Sequence, residues 1–213
     1  MRKLPRDKLL ARTSLDYRVV THARPCSSVE VTAYDTIAAF ERGLVISEAN
    51  GEAGRARYYR ADLKFPILTG PETMTTEPVI ALLDISADTH PFSDPRVSIV
   101  TRPLPWSPHV SSGGLVCIGT TWREARGRML LLDLIAHVAR FLNCDEPDPG
   151  PTYVGWNAAA IGYWRTVLNR KPVNPGLSYP VVPVELTHGV RPVADDVFLP
   201  ASDDGFFCPA GGG

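Results

Sequence analysis

The sequence predicts an α+β protein in which an antiparallel β-meander is flanked by helices. Two observations support this class. Residues 29–100 contain short apolar or alternating runs separated by turn residues, whereas 129–142 carries apolar residues at spacings of three and four. An irregular stretch rich in Pro and Gly, 101–128, separates the two regions. Strands followed by helices, rather than alternating with them, are typical of the α+β class.

Five runs predict strands, and their short connections favour antiparallel pairing between neighbours. The run Val79–Ile85 is apolar throughout, which suits a strand at the centre of the sheet. In most of the other four runs, apolar and polar residues alternate or the run is short. In chain order the five predicted strands are Val29–Thr32, Gly43–Ile46, Tyr58–Phe65, Val79–Ile85 and Val97–Val100.

Helices are predicted before and after these strands. The weakly amphipathic stretch 5–24 predicts an opening helix, and Met129–Leu142 has the strongest helical pattern of the chain. A Pro-rich acidic turn follows, and a second helix is predicted over Val154–Asn169. We therefore place one folded domain in residues 1–170 and a loosely packed or mobile Pro-rich C-terminal tail in 171–213.

Composition excludes several classes of function. The 213 residues are 44% hydrophobic and 21% charged, with a formal net charge of -1. Such a chain can bury a full core but has no basic field to attract nucleic acid. No apolar stretch is long enough to cross a bilayer, and the first residues lack a signal-peptide pattern. We therefore expect a cytoplasmic protein that binds neither nucleic acid nor membrane.

The four cysteines, Cys26, Cys117, Cys144 and Cys208, are widely spaced and form no Cys-x-x-Cys pair. We therefore expect neither a zinc site nor a disulfide framework, and no metal or cofactor. Cys117 stands apart because it follows a Gly-rich stretch between the strands and the main helix. Reactive groups concentrate on loops held by a rigid scaffold. It is a candidate nucleophile, although a cysteine between apolar neighbours is more often buried and inert.

Three segments resemble motifs of the ubiquitin-conjugating enzyme family. Residues 89–97, Thr-His-Pro-Phe-Ser-Asp-Pro-Arg-Val, are similar to its Tyr-Pro-Phe-x-x-Pro-x-Val segment. Residues 107–110, Ser-Pro-His-Val, resemble its His-Pro-Asn-Val motif, and 114–118, Gly-Leu-Val-Cys-Ile, resemble its Gly-x-Ile-Cys-Leu motif. His109 precedes Cys117 by eight residues, the common spacing of the family's Asn and Cys. The similarity spans about residues 58–168.

The resemblance implies a UBC-like fold and a thioester enzyme. Cys117 would accept a ubiquitin-like protein from an activating enzyme and transfer it to an amine, usually a target lysine. His109, in place of the family's Asn, would order the active-site loop or stabilise the oxyanion. The altered motif residues and the poor match over 1–57 suggest a divergent, bacterial branch. Known bacterial systems of this kind also contain a deconjugating protease and are linked to antiphage defence.

Other polar residues receive structural interpretations. We expect His90 to pack in the interior, His137 to be a solvated helix histidine, and Cys144 to be a small buried residue. The acidic turn after the main helix includes Glu146 and Asp148, and Asp148 is a candidate for gating the site or steering the incoming lysine, although acidic turns also end many helices.

Two other functions stay open. One is a catalytically silent UBC-like module that scaffolds a ubiquitin-like protein or a partner enzyme. The other is an unrelated cysteine hydrolase, which requires an imidazole near Cys117 oriented by an acid or amide; the sequence shows no such pair.

Overall fold

The structure, a computed structural model, describes residues 6–47, 53–85, 90–119, 121–125, 128–147 and 155–186. These form an α+β arrangement with one main sheet. The helices are α1 (Arg6–His22), α2 (Ile37–Arg42), α3 (Thr121–Glu124), α4 (Leu131–Leu142) and α5 (Ala158–Thr166), with short 3₁₀ turns at Ala53–Arg55 and Val184–Leu186. The strands are β1 (Val29–Tyr34), β2 (Tyr58–Leu63), β3 (Ile67–Gly70), β4 (Thr73–Thr75), β5 (Val79–Asp84) and β6 (Arg96–Ile99).

The main sheet is a four-stranded antiparallel meander in the order β1-β2-β5-β6. Ala61 at the centre of β2 lies opposite Val31 on β1 and Ala81 on β5. Alternate residues of β2 and β5 are buried, as a pleated strand with one face on a core requires. The prediction that the apolar run at 79–85 forms an interior strand is confirmed, because β5 pairs with a strand on each side.

One predicted strand is wrong and one hairpin was missed. Residues Gly43–Ile46 form no strand; the chain instead makes the short helix α2 just before them. Thr36 begins this helix, its hydroxyl oxygen accepting a hydrogen bond from the Ala39 N–H at 3.1 Å. Gly43 ends it in the left-handed conformation at φ +68°. The missed hairpin, β3–β4, has strands of only four and three residues, β3 begins with two adjacent buried residues and β4 is largely exposed, so neither strand alternates clearly.

Helix α4 forms the centre of the core, as its pattern predicts. Ten of its residues are buried, including Leu131, Leu134, Ile135, Val138 and Leu142. Replacing one such leucine by alanine would cost about 2–5 kcal/mol of stability. The helix that follows is shorter than predicted. It starts after Asn157, whose side-chain oxygen accepts from Ala160 N–H at 3.1 Å, and Val154 lies outside the described residues.

A buried ionic cluster joins α1 to the start of α4. The Asp16 carboxylate accepts hydrogen bonds from Arg12 Nε at 2.9 Å, His90 Nε2 at 2.8 Å and the Leu131 N–H at 3.0 Å. Burial acts to raise the pKa of Asp16, but the charge of Arg12 and the hydrogen bonds from His90 and Arg12 outweigh it and hold that pKa below its usual value. Asp16 thereby caps α4 from another helix, because Leu130 at the N-cap has no polar side chain. The packing role expected for His90 is confirmed.

The first part of the Pro-rich segment is packed, contrary to the expectation of a loose tail. Val182 is buried in the main core, and Leu177, Tyr179 and Leu186 pack against it. The carbonyl of Ser178 also accepts a hydrogen bond from the Ser28 hydroxyl, just before β1. Residues 171–186 therefore belong to the folded body, and 187–213 lie outside the described residues.

Candidate active site

The segment carrying Cys117 folds as a small antiparallel hairpin on the edge of the sheet. Val110 and Val116 form an antiparallel bridge, and the Cys117 N–H donates to the His109 carbonyl at 2.8 Å. The hairpin is docked on β6, where the Val116 N–H donates to the Val97 carbonyl at 2.9 Å. The two residues that the sequence predicts as catalytic are therefore neighbours through main-chain pairing.

Two glycines permit the close approaches of this hairpin. Gly114 has φ +87°, and a Cβ there would lie 2.7 Å from the Ile99 carbonyl oxygen. Gly155 has φ +57°, and a Cβ there would lie 2.5 Å from the Pro108 carbonyl oxygen. That same carbonyl accepts a hydrogen bond from Trp156 N–H at 2.8 Å. Only glycine combines these dihedral angles with this spacing.

Cys117 lies at the inner edge of the hairpin with only 8% of its surface exposed. Its neighbours Val116 and Ile118 are both part of the hydrophobic core. The Cys117 sulfur is disulfide-bonded in this structure, whereas Cys26 and Cys144 are free. The sequence predicted no disulfide framework, so Cys117 departs from that expectation. Any thioester chemistry at Cys117 needs the reduced form of the protein, because the thiolate is the nucleophile.

The His109 side chain is buried and contacts Glu146 and Phe141. Its Nε2 lies 2.7 Å from Glu146 Oε1, and its ring stacks on Phe141 with centroids 3.9 Å apart and planes 7° from parallel. The side chain is 3% exposed, and that of Glu146 is 14% exposed. The Ser107 hydroxyl also accepts the His109 N–H at 3.2 Å. These contacts favour ordering of the loop over direct contact with an oxyanion.

Glu146 is the residue whose contact the sequence did not predict. It lies 37 positions from His109, in the acidic turn after α4, where only Asp148 was considered for a functional role. Asp148 itself lies outside the described residues. The only sequence signal was the presence of several carboxylates in that turn, which is also how many helices end.

The turn that carries Glu146 is held by the packed Pro-rich segment. Asp145 Oδ2 accepts the Tyr179 hydroxyl at 2.7 Å, and the same hydroxyl accepts from Asn143 Nδ2 at 2.8 Å. Asn143 is fully buried and also exchanges hydrogen bonds with Asn174. The position of Glu146 therefore depends on residues 171–179 as well as on α4.

His137 was predicted to be a solvated helix histidine, and this prediction is wrong. The side chain is buried at 5% exposure and packs on Phe141, with ring centroids 4.0 Å apart. Burial is the main cause that lowers the pKa of His137 to about 3. His137 is therefore neutral at physiological pH. Its position is offset from the leucine stripe, but His109 of the hairpin stacks on the same Phe141 ring that His137 contacts.

The expectation for Cys144 is confirmed, since it is 6% exposed and packs with Leu68, Ile161 and Trp164. Burial raises the pKa of this thiol to about 12, with the Glu146 charge adding to the effect. Cys144 therefore stays protonated and unreactive at neutral pH.

No protein-family model matches the chain, and no curated protein matches it. Within the described ranges, no three or more His, Cys, Asp or Glu side chains are grouped as metal ligands would be. In the same part of the chain, none of the helices combines the length and hydropathy needed to span a bilayer.

Proposed function

We propose that this chain is a ubiquitin-conjugating-type enzyme of UBC-like fold that carries a ubiquitin-like protein as a thioester on Cys117. The observation that supports this most directly is the hairpin pairing of His109 with Cys117 on the edge strand β6. The meander that precedes the hairpin and the helix α4 that follows it agree with the order implied by the sequence resemblance.

The proposed reaction has two acyl transfers. The Cys117 thiolate attacks the thioester on an activating enzyme, forming its own thioester and releasing the enzyme's thiolate. A substrate amine then attacks the new carbonyl carbon; the C–N bond forms, the C–S bond breaks to release Cys117 as its thiolate, and the amine proton passes to solvent water. The first transfer is close to thermoneutral, because one thioester replaces another. Catalysis is needed mainly in the second transfer, where negative charge develops on the carbonyl oxygen.

The test incubates reduced protein with ATP, an activating enzyme and the ubiquitin-like protein that this activating enzyme charges. Wild type should give an adduct on non-reducing gels that thiol removes, and Cys117→Ser should give none or an oxygen ester resistant to thiol. Cys26→Ser serves as the matched cysteine control and should charge normally, since Cys26 lies by the Ser178 carbonyl, away from the hairpin. Absence of any Cys117 adduct would leave the silent scaffolding module as the better description.

A cysteine hydrolase is the second candidate, because the structure supplies the oriented imidazole–carboxylate pair that the sequence did not show. His109 and Glu146 form that pair, and Cys117 is joined to His109 through the main chain. The two functions differ in the acceptor of the acyl group, which is an amine for conjugation and water for hydrolysis. Discharge that does not accelerate with added lysine would favour the hydrolase.

A further inference from the structure

We infer that Glu146 is a positioning residue for the reaction at Cys117, acting through His109. This inference rests on the proposed function and deepens it, since it names the group that holds the active-site loop. The carrying observation is the 2.7 Å contact between Glu146 Oε1 and His109 Nε2, with the His109 side chain 3% exposed.

The contact fixes the tautomer of His109. An ionised carboxylate only accepts hydrogen bonds, so Nε2 must carry the proton that it donates to Glu146. In the neutral ring Nδ1 then holds a lone pair and has no N–H to donate. A neutral His109 in this arrangement therefore cannot stabilise an oxyanion as an Asn amide does. The pair serves the reaction by holding the hairpin.

The hairpin is the structure that the pair anchors. The His109 N–H donates to the Ser107 hydroxyl oxygen at 3.2 Å, and the His109 carbonyl accepts from the Cys117 N–H at 2.8 Å. Its ring also stacks on the Phe141 ring of α4. Glu146 therefore ties the loop that ends at Cys117 to the turn after α4. Ionisable groups that interact with this pair include His137 on α4 and Cys144 in the turn.

The turn offers a matched control for Glu146. Asp145 is the adjacent carboxylate, and it accepts from the Tyr179 hydroxyl rather than from His109. Asp145→Asn thus removes one carboxylate from the same turn without removing the His109 partner. Glu146→Gln keeps an oxygen that can accept from Nε2, whereas Glu146→Ala removes it. The comparison separates the hydrogen bond from the general effect of mutating the turn.

The experiment uses the full reduced chain and a small acyl donor, the 2-mercaptoethanesulfonate thioester of N-acetyl-glycylglycine. Acylation of Cys117 is measured by peptide mass spectrometry with Cys117→Ser as the blank, and discharge is then followed with free lysine. We expect Glu146→Ala and His109→Ala each to slow discharge about tenfold or more, because misplacement of the loop by about 1 Å costs up to about 10²-fold. Asp145→Asn should stay within about twofold of wild type.

Two further readouts distinguish positioning from general damage. The double variant should discharge no more slowly than either single one, because the two residues act as a unit. Ring nitrogen NMR of neutral His109 should show a protonated Nε2 in wild type and a mixed tautomer in Glu146→Ala, with Glu146→Gln intermediate in both tautomer and rate. The inference would be overturned if Glu146→Ala discharged at the wild-type rate. It would also be overturned if the double variant lost the product of the two single-variant reductions in rate.

Failure of the inference and failure of the proposed function give different results. If Cys117 acylates in no variant, the conjugating function fails and the positioning role fails with it, and a tautomer that depends on Glu146 then shows only a structural anchor. If Cys117 acylates and discharges to lysine equally well in all variants, the proposed function stands and Glu146 has no positioning role.

Discussion

Replacing His137 by leucine should make the stability of the protein less sensitive to acid. In the folded protein burial lowers the pKa of His137 to about 3, from an ordinary value of 6.5. As the pH falls below 6.5, the unfolded chain binds a proton at this residue and the folded chain does not. The stability that depends on a neutral His137 is therefore fully present above the unfolded-state pKa of 6.5. It is lost progressively as the pH falls from 6.5 to about 3.

The magnitude at pH 5 follows from the unfolded state alone. That pH lies about 1.5 pH units below the ordinary histidine pKa, and each unit is worth about 1.4 kcal/mol, so the loss is about 2 kcal/mol. A folded-state pKa anywhere below about 4 gives nearly the same figure, which makes the prediction insensitive to the depth of burial. Leucine is close to histidine in size and does not titrate.

The assay is urea unfolding of reduced protein at pH 7 and pH 5, with the free energy of unfolding compared within each variant. The loss between the two pH values should be about 2 kcal/mol smaller in His137→Leu than in wild type. His22→Leu is the control, because His22 is exposed at the end of α1, and it should lose as much as wild type. Equal losses in wild type and His137→Leu would refute the assignment of a neutral, buried His137.

Two other predictions concern the hairpin and the thiols. Gly114→Ala should destabilise the fold by about 1–3 kcal/mol because its Cβ meets a carbonyl at a positive φ, whereas a Cβ at Gly113 meets nothing closer than 3.9 Å and Gly113→Ala should be nearly neutral in chemical unfolding. In the native reduced protein, Cys144 should react with iodoacetamide at pH 8 about a thousandfold more slowly than an ordinary thiol, because burial raises its pKa to about 12. Mass spectrometry should find alkylation at half-buried Cys26 long before Cys144, and equal rates at the two would contradict the raised pKa.

Much of the candidate site could be anticipated, but not its third member. The motif spacing indicated that His109 and Cys117 belong to one loop, and the hairpin brings their main chains together. Glu146 could not be identified, because its contact with His109 depends on how α4 and its acidic turn pack against that hairpin. The same packing buries His137, which periodicity alone placed on an exposed face.

The sequence by itself determined the α+β class, the four strands of the main sheet and the helix α4, because strand alternation and helical spacing are local properties of the chain. Tertiary structure decided which polar groups meet. Asp16 caps a helix 115 positions away, and Glu146 binds an imidazole 37 positions away. Such contacts form only where buried donors and acceptors must find partners away from water, and no local pattern records which partner each will find.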